Sequence, residues 1–323
     1  MLKHVSAASV ALFAILTAAP AMPQAVPPQG SWTLKKPLPA PRNEVALATD
    51  GRKLYVIGGN FGAPGGDAVP LLDEYDPAKD TWRSLAPMPV GRDHLGVAVI
   101  GGKIYTVGGF VGSVHRNAQA DVYEYNVATN TWRAVAPLKV GRGSVAVAVL
   151  NGKIHAVGGR GVDNTITVGT HELFDLATGK WTERAPLPTP RDHMALVAID
   201  GKLHAIGGRT VTPATRTDLH DIYDPKTNTW TSGPPLPTAR SGLASVNFRE
   251  LAVVLGGELP PNTFVENEAF DPKTNKWRTL APMPEGRHGT AATVIGRNLY
   301  VVGGSLKPGS GAVTDQLIVF TLP

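Results

Sequence analysis

Short runs of alternating small and large apolar residues recur along the chain, with glycine or proline at almost every break. HLGVAVI (94–100) and SVAVAVL (144–150) alternate with period two; KIYTVGG (103–109) and KLHAIGG (202–208) are β-branched or aromatic runs ending in glycines. Period-two alternation predicts half-buried strands. Gly101-Gly102, Asn151-Gly152 and Asp200-Gly201 sit between paired runs, and such dipeptides predict tight hairpins of type I′. Arg249-Glu250 departs from this chemistry in a fifth pair. A third run carries an aromatic residue (DVYEYN, LHDIYD), and DPKTNTW turns into a fourth run that begins at Trp. Each unit therefore reads as a four-stranded antiparallel meander, strands A to D.

The unit repeats. Trp occurs at 32, 82, 132, 181, 230 and 277, and Arg at 42, 92, 142, 191, 240 and 287. Gly pairs stand at 58–59, 108–109, 158–159, 207–208, 256–257 and 303–304, and all three series step by 50, 50, 49, 49 and 47. Trp to Arg is always 10 and Arg to the second Gly always 17, so the length variation falls between the Gly pair and the next strand, in the B–C loop. Periods of this size indicate propellers or solenoids. A lone four-stranded sheet leaves both faces wet, whereas six arranged radially cover each other. The first recognisable element is a D strand at Ser31–Leu34, and the last unit, after Arg287, lacks one. The expected fold is all-β: a closed six-bladed propeller over residues 31–323, its C-terminal blade completed by the N-terminal strand. Small residues four and six places after each Arg, such as Ala46 and Ala48, alternate with larger ones such as Val97 and Val99, and are expected to interdigitate at the hub.

Six copies of a Gly-Gly doublet, a Tyr or Phe, and a Trp seven residues on resemble kelch repeats. The resemblance covers residues 31 to 323 and implies a propeller fold. For function it implies one of several things: protein-binding adaptors, a copper radical oxidase acting on galactose, or bacterial periplasmic sugar mutarotases. Oxidase chemistry is disfavoured, because its cross-linked Tyr–Cys group needs a cysteine and this chain has none.

Composition narrows the setting. MLKHVSAASVALFAILTAAPAMPQ has a basic start, an apolar run and an Ala19-Pro20-Ala21 cleavage pattern, so residues 1–21 read as a signal peptide and 22–30 as a linker. The expected location is periplasmic or secreted, with no membrane insertion. The chain carries 31 basic and 26 acidic residues, a net of +5 that becomes +4 once Lys3 is removed. That modest excess contains no Lys or Arg run, which argues against nucleic acid and permits attraction of anionic ligands.

Chain direction places the D–A loops and the variable B–C loops on one face, where binding is expected. The six repeated Arg residues are read as structural, donating to backbone carbonyls between blades. The positions that break the repeat are the better functional candidates. Two places after the Arg come Glu44, His94, Ser144, His193, Gly242 and Gly289; after the Gly pairs come Asn60, Phe110, Arg160, Arg209, Glu258 and Ser305. His115, Arg116 and Arg216 join them from the B–C loops. Asn60, Phe110, Arg160, Arg209, Glu258, His94 and His193 are the expected ligand-binding set, with Arg160 and Arg209 as loop groups whose loss leaves stability nearly unchanged. Glu44, His94 and His193 are the acid–base candidates. Asp93 and Asp192 precede the two histidines, and strand alternation predicts that no Asp–His pair forms. A metal site of His94, His193 and His288 fails on the same parity, so neither metal nor cofactor is expected. His155 and His204 take the place of Tyr in strand B and read as packing residues. The expected function is an exported, monomeric binding module for a polar or anionic carbohydrate or an extracellular protein. The alternative is a sugar-acid mutarotase or epimerase similar to the sialic acid mutarotase.

Overall fold

The structure is a computed structural model that describes Met1 and residues 30–62, 66–112, 115–161, 166–309 and 311–323. Apart from Met1 and Gly30, the expected signal peptide and linker lie outside the described residues. Six four-stranded antiparallel sheets are present, each in sequential order, as in blade 2: Gly96–Ile100, Lys103–Val107, Val122–Asn126 and Thr131–Val135. One 3-10 turn, Pro213–Thr215, is the helical structure among the described residues, and no helix there is long and apolar enough to cross a membrane. Blade 6 consists of Ala291–Ile295, Asn298–Val302, Leu317–Thr321 and the N-terminal Ser31–Lys35, which pairs Trp32 with Phe320. The ring is closed as the sequence implies.

The six A strands contact one another in sequence around the axis, blade 6 returning to blade 1. Small-against-large packing is visible there: a Cβ on Gly96 would lie 2.2 Å from Val147 of the next blade. The Arg249-Glu250 hairpin, despite its residues, adopts the same pair of left-handed conformations as Asn151-Gly152, with φ of 53° and 61°. Arg249 also donates to the carbonyls of Pro323 and Leu322, which ties this turn to the chain end.

Two sixfold hydrogen-bond series join the blades. Each Trp indole N–H donates to a carbonyl in the D–A loop of the preceding blade, as in Trp132 to Ala86 at 2.8 Å and Trp32 to Ala281 at 3.0 Å. The second Gly of each doublet donates its N–H to the Arg carbonyl of the next blade, as in Gly59 to Arg92 and Gly304 to Arg42. The doublet must be glycine because the first member has φ near 61° at Gly108, where a Cβ would lie 2.3 Å from the Arg142 carbonyl.

The Arg side chains correct one expectation. They do donate to carbonyls, but within their own blade, and their main partner is a carboxylate at the start of strand C. Arg42 meets Asp73, Arg92 Asp121, Arg142 Glu172, Arg191 Asp221 and Arg240 Glu268; Arg287 reaches Gln316 instead. The blade-to-blade link runs through the Arg backbone, not its guanidinium.

Candidate functional site

The residue after each Gly pair forms an antiparallel bridge with the residue after the Arg: Asn43 with Asn60, Asp93 with Phe110, Gly143 with Arg160, Asp192 with Arg209, Ser241 with Glu258, and His288 with Ser305. This pairing brings the two series of non-repeating positions side by side at the axial end of the D–A and B–C loops. The residue two after each Arg is left-handed, with φ of 51° at Glu44, 52° at His94, 50° at Ser144 and 51° at His193. Glycine fills the same place at 242 and 289, where φ is 68° and 58°. All six residues line a cavity of about 120 Å³ on the axis.

That backbone conformation overturns the argument from alternation. Opposite-facing neighbours require extended backbone, and a left-handed residue turns its side chain back toward its predecessor. His94 Nδ1 lies 2.9 Å from Asp93 Oδ1, and His193 Nδ1 hydrogen-bonds Asp192 Oδ1. Two Asp–His pairs therefore exist where none was expected.

Around these pairs the polar groups form a ring. Glu44 Oε2 is 3.1 Å from His94 Nε2, and its other oxygen is 3.6 Å from His288 Nδ1. His288 in turn is 3.6 Å from Glu258 Oε2. Glu258 accepts from Arg209 Nη1 at 2.7 Å and from the Gly309 N–H at 3.0 Å. Arg209 reaches Asp192 at 3.3 Å and His193 Nε2 at 2.9 Å. The Ser144 hydroxyl is 3.3 Å from the same His193 nitrogen. His115, from the B–C loop of blade 2, has its Nε2 3.2 Å from that nitrogen.

The seven expected binding residues all belong to this cluster or its wall, yet they are buried, from 0% exposed at Phe110 to 8% at His193. Phe110 stands edge-on to His94 and His115 and fixes their rings. Asn60 donates to Asp93 at 3.0 Å. Arg160 and Arg209 are not outward loop cations. Both pair with Asp192, and Arg160 also donates to the Val211 carbonyl. Their removal therefore must disturb stability, contrary to the expectation from sequence. Arg116 is exposed, and Arg216 takes part in a backbone bridge with Arg209.

The electrostatics separate the two central histidines. Burial opposes charge on His94, but Glu44 and Asp93 outweigh it and hold its pKa above the ordinary imidazole value. Burial, reinforced by Arg209 and the other histidines, pushes His193 well below that value. His115 is likewise lowered, by burial first and then by His94 and the nearby arginines. Burial works against ionised Glu258, but His288 and Arg209 hold its pKa below the usual carboxylate range. The ring thus sets His94, whose carboxylate neighbours favour its protonated form, beside His193 and His115, whose surroundings favour the neutral form, which places a proton donor and proton acceptors at the cavity edge.

Sequence reasoning missed Asp93, Asp192 and His288 as members of the ring and named His115 only as a loop residue. Cross-blade contacts between residues separated by one period leave no local signal. The other histidines behave as expected: His155 and His204 are buried inside strand B, where they bond His171 and His220 at 2.9 and 2.8 Å.

Comparison with known proteins agrees with the geometry. The KLHDC2/KLHL20/DRC7 Kelch-repeats domain matches residues 29–187 and 174–304. A solved structure titled "Structure of YjhT" superposes with a TM-score of 0.74 at 20% identity, covering 88% of this chain and 98% of that one. No curated protein matches the chain.

Proposed function

The chain belongs to the Kelch-repeat family of propellers, and from that premise we propose that it is an exported binding module. It takes a polar or acidic ligand, carbohydrate or protein, at the axial mouth of the D–A and B–C loop face. One observation carries the reading. The repeating residues are consumed by structure, while the six positions two after each Arg hold Glu, His, Ser, His, Gly and Gly and converge on one cavity. A sixfold scaffold needs no such variety; an asymmetric ligand does. At about 120 Å³ the cavity holds a few water-sized groups. A ligand therefore inserts one edge, a carboxylate or a pair of hydroxyls, and leaves its bulk among the B–C loops. Arg160, Arg209 and His94 all face carboxylates, so the mouth recognises its ligand through hydrogen-bonding groups and not through one dominant cation.

A second reading is favoured by the two Asp–His pairs. A sugar-acid mutarotase or epimerase needs one group to donate a proton and another to accept one at the anomeric centre. His94, held between Glu44 and Asp93, suits the donor, and neutral His193 the acceptor.

Calorimetric titration with glucuronate, N-acetylneuraminate and galactose tests binding, and one-dimensional NMR of anomer interconversion on the same sugars tests turnover. Saturable binding without acceleration supports the module. Acceleration lost in His94→Gln supports the enzyme. Binding that survives substitution of Glu44, Ser144 and His94 together would remove the axial cavity from both readings.

A further inference from the structure

We propose that His94, His115 and His193 hold a single divalent transition-metal ion at the axial mouth. Each offers a ring nitrogen, and the three nitrogens lie within 4.8 Å of one another. The Nε2 atoms of His115 and His193 are 3.2 Å apart. Two ligands on a tetrahedral centre with bonds of about 2.0–2.1 Å stand roughly 3.3–3.4 Å apart, so this pair already has the spacing of a metal-site edge. The ring centroids are 4.6, 5.0 and 5.1 Å apart, a nearly equilateral triangle, so the three imidazoles gather around one point and do not line up in a row.

The surroundings supply a second, independent reason. Asp93 and Asp192 each hold the Nδ1 of their histidine, leaving Nε2 directed inward. A carboxylate behind an imidazole is the arrangement that orients a metal-bound histidine and raises its basicity. Phe110 fixes the rings of His94 and His115 from the side. The charges also balance. The imidazoles apart, the carboxylates Glu44, Asp93, Asp192 and Glu258 outnumber the guanidinium groups Arg160 and Arg209 by two, an excess that a dication taking the place of the His94 proton offsets.

Two groups compete for the inward nitrogens: Glu44, whose Oε2 is 3.1 Å from His94 Nε2 and would have to turn aside or join the ion, and Arg209. The Arg209 Nη2 lies 2.9 Å from His193 Nε2, the lone pair a metal would use. On metal binding that contact is given up, while the bonds of Arg209 to Asp192 and Glu258 remain. Three imidazoles and no thiolate select Zn²⁺, Co²⁺, Ni²⁺ or Cu²⁺ over Ca²⁺ or Mg²⁺. Three protein ligands leave a coordination position for water or for a ligand carboxylate. The spacing argument against a histidine site concerned His288, which instead faces Glu44 and Glu258; the third nitrogen comes from His115 in the B–C loop.

The test uses the mature chain stripped with EDTA and titrated with Co²⁺ alone. The expected result is one equivalent bound, with the visible absorption of four- or five-coordinate Co²⁺ and paramagnetically shifted imidazole resonances from three histidines. Zn²⁺ should displace the Co²⁺ and raise the melting temperature. His115→Ala, a loop change, should melt like the stripped wild type and lose the absorption. Asp192→Asn should weaken Co²⁺ by about 10–100-fold. If that variant does not fold, the resonances of the wild type decide the matter without it. No stoichiometric Co²⁺ spectrum in the wild type, shifted resonances from fewer than three histidines, or an unchanged spectrum in His115→Ala overturns the proposal.

Discussion

Two concentric rings of polar residues sit at the same end of the propeller and are built on opposite principles. The outer ring is the repeated Arg series, and five of its six members pair with a carboxylate of their own blade. The inner ring is the set of non-repeating residues, and beside its Asp–His pairs it has a series of contacts between blades: Glu44 with His94, Ser144 with His193, Arg209 with Glu258, and Glu258 with the Gly309 N–H. A contact closed within a blade can be copied with the blade. A cross-blade contact is copied only where both partners repeat, as the Trp indoles and Gly doublets do; one between two non-repeating side chains arises once. Repetition therefore marks scaffold, and departure from it marks the place where chemistry can differ.

The largest effect should come from breaking the outer ring. Arg142 and Glu172 are both fully buried and 2.5 Å apart, with the Ala156 carbonyl 3.2 Å from the same guanidinium. Arg142→Ala strands a buried carboxylate and should cost about 3–5 kcal/mol in denaturant unfolding. A loss under 1 kcal/mol would remove the distinction between the rings.

Acid should act next, again on contacts closed within a blade. His155–His171 in blade 3 and His204–His220 in blade 4 are buried pairs that each share one N–H. Burial lowers His155 to about 4 and His171 and His204 to about 3, and lowers His220 as well. Arg184, Lys153 and Arg142 also oppose charge on the first pair, and Lys202 and Arg191 on the second; the Ala185 carbonyl favours it at His171, and the Pro234 carbonyl and then Asp221 favour it at His220. Folded values below the unfolded value of about 6.5 mean that the unfolded chain binds more protons in that window. Stability is then full above pH 6.5 and falls as pH drops toward 4. At about 1.4 kcal/mol per proton per pH unit, with each unfolded imidazole going from about half to about nine-tenths protonated, roughly 3–4 kcal/mol should be lost between pH 6.5 and 5.5. The imidazole resonances of His155, His171 and His204 should not titrate in the folded protein above pH 5, and that of His220 should titrate below the ordinary imidazole value; titration of the first three above pH 5 would contradict the assignment.

The third experiment compares the rings directly. Arg209→Ala leaves Asp192 and Glu258 short of a partner, but Glu258 keeps the Gly309 N–H and a nearby His288. The loss should be about 2 kcal/mol, less than at Arg142. A double-mutant cycle of Arg209→Ala with Glu258→Ala should give a coupling of about 1–2 kcal/mol. A coupling near zero would mean that the cross-blade ring is not a connected unit.

The same distinction explains what could be read from sequence. The propeller was legible because each blade announces itself: Trp, Arg and the Gly doublet recur at fixed offsets, and ring closure follows from the D strand at Ser31. The candidate positions were legible too, since they are the places where the repeat fails. Their pairing was not. Alternation assumes extended backbone, and the left-handed His94 and His193 defeat it, turning Asp93 and Asp192 from excluded partners into bonded ones. The Arg partners were missed because Asp73, Asp121, Glu172, Asp221 and Glu268 alternate between Asp and Glu, and the sixth place holds Gln316. The exposure of Arg160 and Arg209 was misjudged because position on a loop says little about depth when the loop folds over a channel.

The smallest stability effect should fall on Ser144, and it separates scaffold from site most cleanly. Ser144 lines the axial cavity, and its hydroxyl is 3.3 Å from His193 Nε2, a long contact. That nitrogen keeps its 2.9 Å bond from Arg209, so Ser144→Ala strands no buried group. Stability should change by no more than about 0.5 kcal/mol. The cavity, however, loses one hydroxyl that can both donate and accept. If a sugar acid inserts its edge there, one neutral hydrogen bond is worth about 0.5–1.5 kcal/mol, and affinity for N-acetylneuraminate or glucuronate should change by roughly two- to tenfold. Calorimetry for binding and thermal unfolding for stability should therefore move independently in this variant, whereas in Arg142→Ala unfolding moves first. Should Ser144→Ala lower the melting temperature by several degrees and leave affinity untouched, the inner ring is scaffold like the outer one, and the ligand site must be sought among the B–C loops.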